Sequence, residues 1–538
     1  MPFFDARQMD SSVVLRADVC VVGAGAAGLA IAKEFAGRGL RIALLESGDF
    51  SFRHRTQFLY WGENIGRESV STVHSRFRMF GGSTTRWSGQ CRPLDAIDFE
   101  ARKGIPYSGW PFGLDHLEPH YRRAQEFCNL GPYDYTASAW ARDGDSMLPV
   151  DSPELDTKIF QFGFPSDLGR VYRTTLESAP NIQVYLNANV VAIDLDEYSR
   201  NVTGLRIATF NGKRLSITAG AYVLACGGIE NPRLLLASDR VMQNGVGNHN
   251  DLVGRFFMDH PYLLLGHFEP SADHRGRTLY TIEDYALVGK EQKANAAFAL
   301  NEQTLREEGI NNCVLYFVRR PNYKTRPEYF SVGGKSFAHL VDVLRHQEIP
   351  DQHFGRHIKN AIGGLRDVGV SLARQAAELA KPQPRLGLRA VLETTPQPNS
   401  RVTLGDRRDH FGVPRVRINW ALNPEDQRGL TRLLAALRGE FSRLHLGHLV
   451  EDHSTDEAGW PRSMTGGKHH MGTTRMHVDP RQGVVDANCR VHGLSNLYIA
   501  GSSVFPTGGY ANPTLTIVAL AIRLADHVKA QLGAGAKR

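Results

Sequence analysis

Apolar positions along this chain follow two alternating periods. Ala17-Asp18-Val19-Cys20-Val21-Val22 is a short, nearly continuous apolar run, the pattern of a strand buried on both faces. Gly23-Ala24-Gly25-Ala26-Ala27-Gly28 follows without a gap, and residues 29–36 have helical composition, closed by Gly37 and Gly39. Residues 41–45 predict a second strand, which ends in Glu46. Residues 181–193 alternate as strands do, and Asn211-Gly212 predicts a hairpin. Residues 221–232 repeat the opening pattern: buried strand, the turn Gly227-Gly228, helix start. Residues 401–406 and 413–420 predict strands around a turn, which we read as part of a mostly antiparallel sheet. Residues 336–380 read as helical, with Ile358, Ile362, Leu365, Leu372, Ala376 and Leu379 in one apolar stripe. Near the C-terminus, residues 496–501 form a strand-like run ending in glycine, and Pro513 suits the first turn of a last helix.

This pattern predicts an α/β protein, and 538 residues exceed one core, so two or three domains are expected. A hydrophobic fraction of 42% with 53 glycines fits a soluble enzyme rich in tight turns. The excess of 63 basic over 56 acidic residues is spread out, with no Lys/Arg run, so no nucleic-acid partner is expected. Six cysteines, at 20, 91, 128, 226, 313 and 489, show no CxxC spacing. That argues against a zinc or iron–sulfur site held by local cysteines and suits a reducing cytoplasm. The N-terminus lacks a signal-peptide pattern, and no uncharged stretch is long enough to span a bilayer. The helical stretch at 336–380 also carries His339, His346, His353 and His357, with Arg356, Lys359, Arg366 and Arg374. We read it as a lid or insertion on the second domain. A helix docking on a membrane surface or a partner is one alternative. A His353/His357 metal pair is the other, but it lacks a third ligand nearby; no metal is expected.

The unit of strand, GxGxxG, helix, strand and acid carries a mechanism. Gly23, Gly25 and Gly28 let the backbone approach a pyrophosphate at a helix N-terminus, and Glu46, 18 residues past Gly28, can hold a ribose hydroxyl. The motif does not by itself choose FAD over NAD. Glu46-Ser47-Gly48 is similar to the acid-x-Gly of flavoproteins, and the run from Asn496 to Gly501, followed by Ser502, resembles their second, C-terminal flavin contact. Both favour FAD.

Lys468-His469-His470-Met471-Gly472-Thr473-Thr474, followed by Gly509-Tyr510-Ala511-Asn512-Pro513-Thr514, resembles the C-terminal signature of the glucose–methanol–choline (GMC) oxidoreductases. Phe80-Gly81-Gly82-Ser83-Thr84-Thr85-Arg86-Trp87 is similar to the family's flavin loop, and Met258-Asp259-His260-Pro261 to another of its landmarks. Residues 106–124 resemble the crossing into the substrate domain in the sugar- and glycoside-oxidising branch, the pyranose oxidase-like and glycoside 3-oxidase-like members. The resemblance runs through the chain in order and is weakest in the substrate domain. It implies a Rossmann-like FAD domain built from 1–105, 181–261 and 455–538. The substrate domain, from 106–180 and 262–454, would be α+β, with an antiparallel sheet roofing the flavin.

The resemblance also implies roles. Gly23, Gly25, Ala26, Ala27, Gly28, Glu46 and Ser47 would hold the nucleotide, Val190 would meet the adenine, and Cys226 and Gly227 would pass the pyrophosphate. Gly81, Gly82, Ser83 and Thr84 would lie against the flavin, with Gly501, Ser502, Asn512, Pro513 and Thr514 on its other side. Arg86 stands where sugar-oxidising relatives carry a histidine bonded to FAD, which implies non-covalent FAD here. The pattern His-x-x-Gly-[Ser/Thr] selects His469 as the base, with adjacent His470 the alternative, and Asn512 as its partner. For His260, structural and functional roles are both open. The expected reaction oxidises a secondary alcohol of a sugar, glycoside, aminoglycoside or cyclitol to a ketone. A sterol or terpenoid alcohol, or a non-redox lyase, are the alternatives. Electrons would pass to O2 or an external acceptor; a homo-oligomer and a small accessory subunit both stay open.

Overall fold

The computed structural model describes residues 2–67, 71–141, 147–272, 279–282, 286–288, 292–318, 336, 340, 354–364, 386–452 and 454–535. Its first sheet has the order β1 (Phe3–Asp5), β7 (Ile182–Leu186), β3 (Ile42–Leu45), β2 (Val14–Val22), β10 (Arg214–Leu224), β9 (Val202–Ala208), β8 (Asn189–Leu195), with β20 (Leu497–Ile499) also on β10. Pairing is parallel from β1 to β10 and for β20, and antiparallel beyond. The register aligns Val22 with Leu45 and with Leu224, and Leu224 with Ile499. The turns after β2, β3, β10 and β20 therefore open along one edge. That edge, at the carboxyl ends of parallel strands, is where such sheets bind ligands. Two of these strands feed helices at once: α1 (Ala26–Phe35) after β2, and α4 (Gly227–Ala237) after β10. The Ala-rich α1 stops at Ala36, and Gly37 takes φ 71°. It packs on α7 (Thr514–Gly535) and α3 (Leu168–Ser178); α7 also packs on α2 (Leu114–Phe127).

Residues 181–193, read from their alternation as strand, form β7 and β8 with a turn between them. Asn187 adopts φ 57°, which an asparagine tolerates, and the chain turns there. The turn is held by the acid loop: the Asn187 N–H donates to Gly48 O (2.8 Å) and the Ala188 N–H to Glu46 O (2.9 Å).

The second sheet is antiparallel throughout its described pairs. Its order is β18 (Gly447–Glu451), β11 (Pro261–Pro270), β15 (Leu386–Leu392), β14 (Cys313–Val318), β13 (Gln292–Leu300), β6 (Leu155–Phe162), β5 (Gln90–Cys91), with β12 (Ala286–Val288) on β13 and β19 (Thr465–Gly466) on β11. One face, with Leu263, Phe298, Phe317 and Leu388, buries against Leu433, Leu437 and Phe441 of α6 (Arg428–Arg443). The other, with Leu264, Val314, Tyr316 and Val391, packs with Tyr510.

The strand pair expected at 401–420 exists as β16 (Arg401–Arg408) and β17 (Pro414–Asn419), but it does not join this sheet. It forms a separate three-stranded sheet with β4 (Glu63–Asn64). Local alternation reports a hairpin; it carries no information on which sheet the hairpin joins. In the stretch expected to be helical, α5 (Phe354–Gly363) is present. Ile358 is 39% and Ile362 62% exposed, and Ala361 is the buried residue, so this part of the expected stripe faces outward. Leu365, Leu372, Ala376, Leu379 and His353 lie outside the described residues.

Candidate active site

A cavity of about 840 Å3 lies between the open edge of the first sheet and the inner face of the second. At one end the three glycines of the opening motif do different things. Gly23 has φ 102°, and a Cβ there would lie 2.7 Å from Ala225 O, so only glycine lets β2 pass β10 so closely. Gly25 caps α1 without a side-chain bond and has only the Gly82 Cα within 4.0 Å of where a Cβ would stand, leaving the helix's first N–H groups directed into the cavity. Gly28 does not line the cavity; a Cβ there would meet Gly23 O at 1.8 Å, so it serves the packing of α1 on its strand. Gly81 is also off the cavity wall, a φ 96° turn packed on Gly169, whereas Gly82 crosses Gly25 at van der Waals distance.

Ala26, Ala27, Ser47, Ser83, Thr84, Arg86, Val190, Cys226, Gly227, Gly501, Ser502, Pro513 and Thr514 all line the wall. Glu46 is buried and held at both oxygens: the Ala24 N–H donates to Oε2 (2.9 Å) and the Gly48 N–H to Oε1 (2.7 Å). Burial pushes the Cys226 thiol up to about 12, with Glu230 adding to it, so it is a packed thiol and not a nucleophile.

Sequence reasoning missed a cationic cluster here. Arg76 and Arg78 share Glu230 at 3.1 and 2.5 Å, and both guanidinium groups lie over the Tyr60 ring. Burial alone would raise the Glu230 carboxyl; Arg233, Arg78 and Arg76 instead hold it down at about 2. Arg76 Nε and Nη1 and Arg78 Nε are buried without a hydrogen-bond partner among the described residues. Unpaired guanidinium donors, an uncapped helix N-terminus and a glycine cradle are the donor set a dinucleotide pyrophosphate needs. The residues present fit FAD.

At the other end, Asp259 organises the loop that carries the histidines. It is fully buried, and its Oδ1 accepts the N–H of His469 (2.7 Å) and of His260 (2.8 Å), its Oδ2 that of Lys468 (3.2 Å). Burial pushes its carboxyl up to about 7 against these backbone bonds. His260 Nδ1 and His469 Nδ1 lie 2.9 Å apart, their rings nearly perpendicular at 85°. Burial lowers His260 to about 4 and holds His469 well below the usual imidazole value, with His260 lowering it further. The Tyr262 ring stands 6.0 Å from that of His469, and its hydroxyl faces the Asn512 side chain. Pro513 O accepts the Ile517 N–H (2.8 Å), so Pro513 holds the cap of α7 and not its first turn; the Asn512 side chain is left facing Tyr262.

His470 also lines the cavity but turns elsewhere: its ring stacks on Phe257 at 5.8 Å, and its carbonyl accepts the Ser502 hydroxyl (2.7 Å). The second sheet adds Tyr262, Tyr316 and Arg389, and β5 adds Gln90, which donates to Asn295 Oδ1 (2.9 Å). Tyr262 follows Pro261 directly, and an inward period of two from that motif would have reached it; Arg389 belongs to no motif.

Comparisons with known proteins agree with this geometry. The family model described as "GMC oxidoreductase" matches residues 396–521, and that described as "FAD dependent oxidoreductase" matches 18–249. The chain is 23% identical to the fructose dehydrogenase large subunit of Gluconobacter japonicus, over 98% of this chain and 100% of that one. It is 25% identical to 6'''-hydroxyparomomycin C oxidase of Streptomyces lividus, over 96% and 92%. Among solved structures, pyridoxine 4-oxidase from Mesorbium loti superposes with a TM-score of 0.57 at 16% identity, over 95% and 98%, which speaks for the fold.

Proposed function

We propose, since this chain belongs to the glucose–methanol–choline oxidoreductases and depends on FAD, that it oxidises a secondary alcohol of a sugar or glycoside to the ketone. The observation that carries the reading is the group at one end of the cavity: His469 against His260, both tied to Asp259, with Asn512 and Tyr262 in the same wall. Bound FAD supplies an acceptor for the two electrons and hydrogen of the carbinol carbon.

The protein's own residues do the rest. His469 spends its Nδ1 on His260, which leaves Nε2 for the substrate hydroxyl. Its depressed basicity keeps it neutral at physiological pH, the form that can take a proton. The Asn512 amide, which faces the Tyr262 hydroxyl, donates to the substrate oxygen as charge develops there. His470 supports Ser502. The polar groups of Gln90, Arg389 and Tyr316 suit a hydroxylated substrate better than a sterol. Arg86 in the flavin loop leaves no histidine there for a covalent link, so FAD is held non-covalently. The division of the chain into a three-part FAD domain and a two-part substrate domain is part of this reading.

The test is anaerobic titration of the purified holoenzyme with a panel of sugars and glycosides, followed by acid precipitation. One panel member should bleach the flavin, and the flavin should leave with the supernatant. His469→Ala should keep the flavin spectrum and lose the bleaching by about a thousandfold or more in rate. An H469A protein reduced at the normal rate would sink the assignment.

A further inference from the structure

The substrate end of the cavity is cationic. Arg389 sits on β15, cross-strand from Leu264 of β11 and Tyr316 of β14. Its neighbours Leu388 and Ala390 turn to the opposite core, so Arg389 looks into the cavity. It is half-buried, and among the described residues no carboxylate pairs with it; the Tyr262 hydroxyl near it is a neutral phenol, which burial keeps protonated. Lys468, next to His469, lines the same wall. Asp259 takes the backbone N–H of Lys468 and not its ammonium group. The two carboxylates that line the cavity, Glu46 and Glu230, belong to the nucleotide end and are already engaged, one by backbone N–H groups and the other by arginines.

A guanidinium taken partly out of water without a counter-ion is costly, and a strand between leucine and tyrosine gives it no other purpose. A neutral sugar needs hydrogen bonds but no net charge to meet it. Arginine's planar fork matches carboxylate and phosphate, and both cations oppose a polycation. We propose that the substrate carries an anionic substituent, as a sugar acid or a phosphorylated sugar does, and that Arg389, with Lys468, receives it. The proposal rests on the sugar-oxidising reading above and narrows it: aminoglycosides, which that reading's relatives include by name, are disfavoured by charge.

The experiment measures kcat/KM of the holoenzyme for matched probes: methyl glucoside, methyl glucuronide, glucose 6-phosphate and glucosamine. One anionic probe should exceed methyl glucoside by about tenfold or more, and added salt should shrink that ratio. Preference for the glucuronide or for the phosphate identifies the anion. Arg389→Gln should collapse the ratio of anionic to neutral probe toward one, and Lys468→Gln should reduce it less. Equal or better use of the neutral or cationic probe, or an unchanged ratio in R389Q, overturns the anionic substituent alone. A protein whose flavin none of the probes reduces overturns the sugar reading and this proposal with it.

Discussion

His260 is the residue whose part the structure changes most. It has no exposed surface, and its Nε2 is buried beside Gly508 without a hydrogen-bond partner among the described residues. The Nδ1–Nδ1 contact needs one donor: for His469 to present a bare Nε2 to the cavity, it must donate from Nδ1 and His260 must accept. His260 thus positions the base and selects its tautomer. The groups around the pair are Asp259, Tyr262, Lys468 and His470, and among the described residues no carboxylate but Asp259 touches it. His260→Phe keeps the ring volume and deletes the acceptor. It should lower kcat by about ten- to a hundredfold with FAD retained. It should also move the acid limb of the kcat/KM profile to higher pH, because His260 contributes to holding His469 down. An unmoved limb with full kcat would make His260 a packing residue.

At the scale of elements, the opening motif does two separable jobs. Gly28→Ala drives a methyl into Gly23 O and should cost the fold itself about 2 kcal/mol or more, lowering the melting temperature of apo and holo protein alike. Gly25→Ala brings a methyl only to ordinary contact with the Gly82 Cα (4.0 Å) at the cavity wall, so it should leave apo stability unchanged and weaken FAD retention on dilution. Equal behaviour of the two variants would refute this division. The same contrast explains what was legible in the chain. Strand, turn and helix near Gly25, the base His469 and its partner Asn512 follow from short-range pattern and from motifs, because backbone geometry at a nucleotide fixes residue type over a few positions. Arg76, Arg78, Tyr262 and Arg389 reach the site through the register of long-range strand pairs and through loop packing. The misplacing of β16 and β17 has that same origin: alternation sets which side of a strand faces inward, and only the completed fold sets which sheet it enters.

Over the whole molecule, buried titrating groups oppose one another, and the balance sets a pH of greatest stability. His260, His469 and His470 are all depressed by burial. The unfolded chain binds their protons more readily than the folded one below about pH 6.5, so their contribution to stability rises with pH up to that point. Asp259, Asp98 and Asp426 are shifted the other way, Asp259 to about 7 and Asp426 to about 6, chiefly by burial. For these the folded state holds the proton longer, so stability is lost as pH climbs from the unfolded carboxylate value through the folded one. Above pH 6.5 the histidine contribution is flat while Asp259 and Asp98 still ionise. Stability of the holoenzyme should therefore peak near pH 6 and decline toward pH 8, with Asp259 accounting for about 1 kcal/mol of the fall. Asp259→Asn removes that titration and should flatten this limb, whatever it costs in absolute stability by losing an acceptor for the His469 loop. A melting temperature that rises from pH 6.5 to 8 in the parent protein, or a limb as steep in D259N, would show that Asp259 is ionised throughout. The loop bearing His469 would then be held by a charge and not by a neutral acid.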